Sequence, residues 1–526
     1  MSSPFIFDWV LEHAERRPDA PAVDGLDARL TYASLAERVL DLAGDLAAKG
    51  VTAGERVLIV LPAGPASVVA SLAVQSLGAC AVDVNRAIGA EGLQAIVRQV
   101  DPRHAILAPP DGSAWKEALR GRVLEGVWFV GGGGPLADDG FQAREATLLR
   151  RDGRLDRDRG QRARPARLDD GAAALVLLTS GSTGKVRGVI HTFRNIHANT
   201  RSIVEYLGLA ADDRAMAILP FSYTYGRSVL QTHLYAGGSI FVDPRFMYPR
   251  TVMEAVGLEG CTGFAGVPMT FEILRRSVDL SRIPMPRLRY VTQAGGPMRA
   301  ETTHWARGAF APARLFVMYG QTEATARLSY LPPERGEEKT GSIGIPIPGV
   351  DLRVVDDDGA ELPPGEMGHL VARGDNVTPG YLGAPEETAA VLRGGWLWTG
   401  DLARRDEDGY LWLMGRKDEL LKVGGFRVSA TEIEALLLDH PAVVDAAVVG
   451  VDDPLQGTVA VAFVVLSRPA PPLAELRRAC RDRGGVHRMP AEIVVVDAVP
   501  RGPSGKTLKA QLAMQARAAR QATTTP

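Results

Sequence analysis

The sequence predicts an α/β fold built from more than one structural unit, and three features predict it. Between Phe5 and about Asp170, helical stretches such as Ser34 to Lys49 alternate with short apolar strands such as Arg56 to Leu61 and Ala79 to Val84, the order expected of a sheet covered by helices. The apolar run Ala172 to Leu178 leads into Thr179-Ser-Gly-Ser-Thr-Gly-Lys-Val-Arg-Gly-Val189, a buried strand with a loop of glycines and hydroxyls at its carboxyl end. The 526 residues exceed what one hydrophobic core sustains and suggest about three to four units.

Residues 1 to about 170 read as one α/β subdomain, and about 171 to 340 as a second that carries the loop. From Gly341 to Arg416, prolines, glycines and short valine-rich runs (Leu352 to Val355, His369 to Ala372) suggest a small β-rich subdomain over 341–417. These three make an expected N-terminal domain of residues 1–417. Residues 418–526, with a helix at Ala430 to Leu438 and strands at Val443 to Val449 and Val459 to Val465, make a smaller α+β domain. Gly131 to Gly134 and Arg150 to Arg167 read as loops, the second as a solvated linker because its charges alternate without interleaved aromatics. Ala516 to Pro526 show no periodic apolar face and are expected to fray.

Composition narrows the function. Sixty basic against 62 acidic residues, a formal charge of −2, leave no broad basic field for nucleic acid or anionic lipid. Cys80, Cys261 and Cys480 are far apart, with no CxxC or Cys/His spacing for zinc. The first ten residues carry an acid and no basic run, and no segment nears 18 uninterrupted apolar residues. A reduced, cytoplasmic protein without a membrane span is expected.

The loop after Leu178 suits phosphate. Its glycines bring backbone N–H groups close to an anion, its hydroxyls add donors, and Lys185 and Arg187 add charge. It is not a GxxxxGK[ST] loop, because Thr179 stands at the first glycine and Val186 at the hydroxyl residue. Gly505-Lys506-Thr507 fails the same pattern, with Pro500 in the first glycine slot. Alone, such a segment is most often just a solvated loop.

Five further segments give it context: Gln293-Ala-Gly-Gly-Pro297, Tyr319-Gly-Gln-Thr-Glu323, Trp398-Thr-Gly-Asp401, Gly415-Arg-Lys-Asp418 and Pro500-Arg-Gly-Pro-Ser-Gly-Lys506. With Thr179 to Gly188 matching TSG[ST]TGxPKG, the chain resembles, over nearly its whole length, the adenylate-forming superfamily of acyl-CoA synthetases, peptide-synthetase adenylation domains and luciferases. The resemblance implies that ATP, with Mg²⁺, activates a carboxylic acid to acyl-AMP, and that the C-terminal domain is a mobile lid. It assigns Thr179, Ser180, Gly181, Ser182, Thr183, Gly184 and Lys185 to phosphate, with Thr183, Glu323 and Lys506 in the catalytic step and Glu323 on Mg²⁺. A carboxylate attacking an α-phosphate is repelled by it, so Lys506 between the two answers a physical need. Gly295, Gly296, Pro297, Tyr319, Gly320, Gln321 and Thr322 would frame adenine and AMP, and Asp401 and Arg416 would take the ribose. Asp401 is expected to close the strand-like run Trp396 to Trp398 through Thr399 and Gly400.

The resemblance makes Asp418 a hinge about which the lid swings, bringing Gly424, Gly425 and Arg427 to the acceptor thiol. Val186 and Arg187 depart from the usual proline and lysine, which alters loop stiffness more than chemistry. Tyr223, Thr224, Tyr225, Phe264, Gly266 and Ala294 fall in the family's acid pocket, though the aromatics also suit a core. Thr224 stands about where amino-acid-activating members carry an aspartate, so the expected acid has no α-amine and is aromatic or short to medium acyl. Coenzyme A is the expected acceptor, an acyl carrier protein the runner-up. An amine acceptor and a silent nucleotide-binding member stand further off. A monomer or homodimer is expected, without nucleic acid or membrane partners. A dinucleotide oxidoreductase lacks its GxGxxG.

Overall fold

The computed structural model describes residues 3–85, 88–108, 118–119, 123–130, 142–143, 146–149, 161–165, 168–180, 186–417, 420–423, 426–453, 457–501 and 507–524. It divides into two compact units: Met1–Gly181, Lys185–Leu352 and Ala372–Leu397 in the first, and Ser182–Gly184, Arg353–Val371 and Trp398–Pro526 in the second. Residues 353–371 and 398–417, read from sequence with the large domain, thus group with the C-terminal residues.

Two mixed sheets organise the first unit. One runs in the order Val186–Thr192, Ala173–Ser180, Cys80–Asp83, Arg56–Val60, His104–Leu107, Gly126–Val130, Ala146–Leu149. It is parallel except where Val186–Thr192 turns back along Ala173–Ser180 and sets Arg187 opposite Thr179. The second sheet has nine strands, with the parallel series Arg314–Tyr319, Tyr290–Gln293, Gly263–Gly266, Arg214–Ala217, Ser239–Val242, Pro21–Gly25 at its centre. Short central strands buried along their length, such as Ser239–Val242 and Tyr290–Gln293, are the pattern of a sheet covered on both faces.

Capping places the helices that matter for the site. Thr192 accepts from the Asn195 N–H while the Asn195 side chain accepts from the Thr192 N–H, a reciprocal cap that starts helix Phe193–Leu207 at the strand end. Gly208, at φ 59°, closes that helix in the left-handed region. Helix Thr224–Ala236 starts at Tyr223 and ends at Gly237.

In the second unit, strands Phe426–Ser429, Leu420–Val423, Gly457–Leu466 and Val443–Asp453 form an antiparallel sheet, with Glu492–Val495 added parallel to Gly457–Leu466. Helix Ala430–Leu438 has the bounds read from sequence; it packs against strand Leu411–Arg416, which ties that strand to the C-terminal residues.

Three local expectations change. The chain end does not fray at Ala516: Lys509–Thr524 is one helix, because Leu512 and Ala516 bury beside Val449, Val461 and Phe463. That apolar contact is too sparse to read as a stripe. Asp401 does not close its strand, which runs on as Trp396–Arg405. Arg164, inside the presumed solvated linker, pairs with Asp8 at 2.5 Å and lies over the Phe7 ring. Gly131 to Gly134 lie outside the described residues.

Leu512 is fully buried and Met514 is exposed on the same helix. Leu512→Ala should destabilise the full chain by about 2–5 kcal/mol, as core truncations do, and Met514→Ala should stay within about 0.5 kcal/mol. Urea unfolding followed by circular dichroism checks both.

Candidate active site

The Tyr319-Gly-Gln-Thr-Glu323 motif leaves the carboxyl end of strand Arg314–Tyr319 and turns through a short 3₁₀ segment, Thr322–Ala324. Gly320 is required here, because a Cβ would collide with the Ala326 carbonyl. Thr325 follows at φ 65°, an uncommon conformation for a β-branched residue. It is held from several sides. Thr325 Oγ1 donates to the Asn376 carbonyl at 2.7 Å, and Asn376 Nδ2 donates to the carbonyls of Ala324 and Arg327. Thr224 Oγ1 donates to the Thr325 carbonyl. Asn199 Nδ2 also donates to the Arg327 carbonyl, at 3.0 Å.

Glu323 is gripped at both ends. Its carbonyl accepts from the Thr378 N–H at 2.9 Å, and its carboxylate Oε1 accepts from the Tyr381 hydroxyl at 2.8 Å. Burial, then the neighbouring carboxylate, push the Tyr381 phenol well above its ordinary pKa, so it stays a donor. His191 Nε2 contacts the Thr322 carbonyl at 2.7 Å and serves as the donor. Burial pushes the His191 pKa down from 6.5 to about 4, against the opposing pull of the Thr322 contact, and the ring is neutral at pH 7.

Arg187 answers to Glu387 rather than to open loop. Its Nε pairs with that carboxylate, on helix Pro385–Val391, and its guanidinium lies 5.5 Å from the Tyr381 ring centroid. The expectation that Arg187 lends its charge to phosphate changes accordingly. Ser180 ends the strand Ala173–Ser180; its side chain and Gly181, Ser182, Thr183, Gly184 and Lys185 lie outside the described residues.

Gln293-Ala-Gly-Gly-Pro297 extends strand Tyr290–Gln293. Gln293 is buried and donates to the Gly296 carbonyl at 2.8 Å, folding the segment back on itself. Gly295 takes φ 92° and leaves no room for a Cβ beneath the Tyr223 hydroxyl; Gly295, Gly296 and Pro297 are exposed. The Gln321 side-chain amide nitrogen is buried without a partner.

The acid-pocket candidates surround the start of helix Thr224–Ala236. The Thr224 hydroxyl, directed to Thr325, serves the turn. Tyr225 is buried and its hydroxyl meets Thr292. Phe264 is buried among Phe271 and Phe310. Gly266 abuts Thr270 and Phe271, and Ala294 is buried. Tyr223 is half-buried.

In the second unit, Asp401 and Arg416 sit opposite each other on neighbouring strands. Arg416 Nε pairs with Asp401 Oδ1 at 3.1 Å, and its Nη2 donates to the Thr399 carbonyl at 3.2 Å. The Asp401 N–H donates to Thr399 Oγ1, and Gly400 turns between them at φ 78°. Asp418, Gly424, Gly425, the Arg427 side chain and Lys506 lie outside the described residues. Sequence reasoning missed His191, Asn199, Asn376, Thr378 and Tyr381. Their only signal was polar side chains inside otherwise apolar or proline-bounded runs.

With this geometry in place, comparison identifies the chain. The family described as AMP-binding enzyme matches residues 10–382, and its C-terminal domain matches residues 432–506. The chain belongs to this adenylate-forming, AMP-binding family. A feruloyl-CoA synthase of Amycolatopsis sp. is 33% identical over 518 residues, covering 96% of this chain and 97% of the relative. The o-succinylbenzoate CoA synthetase (MenE) of Bacillus subtilis, in complex with its acyl-adenylate intermediate, superposes with TM-score 0.82 at 27% identity, covering 96% and 97% of the two chains. That synthetase has also been solved with ATP and magnesium ion. The amide bond synthetase McbA of Marinactinospora thermotolerans gives TM-score 0.84 at 26% identity, covering 97% and 99%.

The buried His191 yields a pH prediction. Its folded pKa lies below its unfolded value, so between about pH 6.5 and 4 the unfolded chain binds the extra proton. Stability is therefore retained above that window and falls as pH drops through it. His191→Gln should flatten the fall in melting temperature between pH 6.5 and 4, leaving the part owed to the similarly lowered His13, His197 and His233. An unchanged slope would refute the assignment.

Proposed function

We propose that the chain activates an aromatic or short- to medium-chain carboxylic acid and passes it to coenzyme A. It is an AMP-forming acid–thiol ligase that uses ATP, Mg²⁺ and CoA. An oxygen of the acid's carboxylate attacks the α-phosphorus, forming the acyl–phosphate bond as the α–β bridge breaks and pyrophosphate leaves. The CoA sulfur then attacks the acyl carbon, losing its proton, and AMP departs. The observation that carries this reading is Glu323, held by Tyr381 and Thr378 on a turn that one strand and two helices also fix.

Glu323 fits magnesium. Among the described residues no three His, Cys, Asp or Glu side chains cluster into a protein-built cage, and Mg²⁺ needs only one or two carboxylates beside phosphate oxygens and water. When bound, the ion neutralises phosphate charge. The chain's residues supply the rest of the reading. The loop Thr179 to Lys185 would cradle phosphate; Gly295, Gly296, Pro297, Tyr319, Gly320, Gln321 and Thr322 would frame the base and AMP; Asp401 and Arg416 would take the ribose hydroxyls. Tyr223, Tyr225, Phe264, Gly266 and Ala294 would wall the acid, with Thr224 holding the turn. Lys506 would stabilise the charge between carboxylate and α-phosphate. In this reading, residues 1–417 form the large domain, 418–526 the lid, Asp418 the hinge, and Gly424, Gly425 and Arg427 the thiol-facing surface.

Two extensions belong to the same reading. No described helix is long and apolar enough to cross a membrane, and all three cysteines are free and buried, in keeping with a cytoplasmic monomer or homodimer. The likeness to an amide bond synthetase favours an amine as second acceptor reading, beside a carrier protein.

The decisive experiment incubates the protein with MgATP and a panel of carboxylic acids, measures pyrophosphate, then adds CoA, a phosphopantetheinylated carrier or an amine and weighs the products. Pyrophosphate, AMP and an acyl-CoA are expected; ADP and phosphate would refute adenylation, and an amide without thioester would move the acceptor. Lys506→Ala should slow adenylation by about 10² to 10³, the usual worth of a preorganised charged donor, while thioester formation from supplied acyl-AMP stays within a few-fold.

Tyr381→Phe removes the donor to Glu323 and keeps the ring under Arg187. Loss of a hydrogen bond to a charged group, about 1.5–3 kcal/mol, should weaken MgATP binding by calorimetry and lower adenylation about tenfold or more. Unaltered MgATP binding would show that Tyr381 does not set Glu323.

A further inference from the structure

Among the described residues three arginines are buried, Arg214, Arg227 and Arg327, each less than a tenth exposed. Two have carboxylates: Arg214 pairs with Asp24 and Glu259, and Arg227 with Asp83. Arg327 is the most buried, at 3% exposure, and no described carboxylate pairs with it. Its Nε reaches only the Met318 thioether and its Nη1 only the Ala326 carbonyl, both at 3.3 Å. Its guanidinium carbon lies 4.2 Å from the Tyr225 ring centroid. An aromatic face, a sulfur atom, one main-chain carbonyl and the Tyr206 hydroxyl are all neutral company for a buried cation, which ordinarily keeps an anion beside it.

Its surroundings say where the anion would come from. Arg327 lines a cavity of 20 Å³ with Tyr225, Phe264, Thr292, Met318 and His233, room for about one water oxygen. Tyr225 and Phe264 are acid-wall residues in the reading above. Burial raises the phenols of Tyr206, Tyr223 and Tyr225, and the Arg327 charge opposes that rise in all three. The charge therefore acts into the tyrosine cluster at the start of helix Thr224–Ala236.

We propose that Arg327 is the counter-charge for a second anionic group on the acid, so that the preferred substrate is a dicarboxylate or carboxylate–sulfonate rather than a simple monoacid. The proposal rests on Tyr225 and Phe264 walling the acid pocket. One oxygen of the second group would take the water-sized cavity, and the remaining guanidinium N–H groups would meet it in the planar geometry that arginine offers to carboxylate and sulfonate. The carboxylate that reacts is the other one, so the chemistry of adenylation is unchanged.

The test is ATP–pyrophosphate exchange with matched acids: hexanoate against adipate, and 3-phenylpropionate against 3-(4-carboxyphenyl)propionate. Wild type should favour at least one diacid over its monoacid by about tenfold or more in kcat/KM, the least expected of one charge-assisted hydrogen bond. Arg327→Met should abolish or reverse that preference mainly through KM, and Arg327→Lys should keep part of it. A wild-type preference for both monoacids overturns the proposal without any variant, as does a diacid preference that survives in Arg327→Met. Absence of exchange with every acid would instead refute adenylation itself, and this inference with it.

Discussion

The site depends on one constraint: an irregular, buried stretch of backbone from Thr322 to Arg327 whose carbonyls must all be satisfied. A helix would satisfy them internally, but this turn does so only for Thr322 and Ala324, and an unpaired buried carbonyl costs about as much as a lost hydrogen bond. Side chains answer instead. His191 takes the carbonyl of Thr322, Asn376 those of Ala324 and Arg327, Thr224 that of Thr325, and Asn199 shares Arg327; the Thr378 main chain takes Glu323. These partners come from a strand, two helices and the segment 376–381, so the turn can exist only once the first unit has assembled around it. The positive φ of Thr325 is tolerated for the same reason: the surroundings over-determine it.

Glu323 inherits that rigidity. Its main chain is fixed by Thr378 and its carboxylate by Tyr381, whose ring lies under Arg187. If Glu323 holds Mg²⁺ as proposed, a carboxylate so oriented needs little reorganisation for a charged step. Arg187, in turn, is steadied by Glu387. Arg187 therefore links strand Val186–Thr192 to Tyr381, whose hydroxyl holds the Glu323 carboxylate. In the second unit the same economy appears in Asp401 and Arg416, paired across two strands and hung from Thr399.

The α/β class and the principal strands and helices were legible because strand and helix each impose a period on apolar residues, and Ala430–Leu438 came out to the residue. The motifs were legible because glycines and hydroxyls at fixed spacing are rare outside such loops. What stayed hidden was what periodicity does not encode. The helix Lys509–Thr524 buries only Leu512 and Ala516, too few for a stripe, and adds the ion pairs Lys509–Glu434 and Arg520–Asp453. The continuation of strand Trp396–Arg405 through Gly400 and Asp401 is set by its partner strand, not by its own residues. His191, Asn199, Asn376 and Thr378 look ordinary in sequence because they act on main-chain carbonyls 52 to 131 positions away. The sequence places Thr224 in the expected acid pocket and does not show that its hydroxyl donates to the Thr325 carbonyl.

This division also explains how one scaffold keeps its chemistry while its acid changes. The carbonyl-satisfying residues tie the Glu323 turn to the core, and altering them would disturb folding and catalysis together. Replacing the Arg327 side chain forfeits one long contact to the Ala326 carbonyl but leaves the bonds by which Asn199 and Asn376 hold the Arg327 carbonyl. The Arg327 side chain has only neutral partners, the Ala326 carbonyl and the Met318 sulfur among them, so in the proposal above it can answer to an anionic ligand while its backbone answers to the fold.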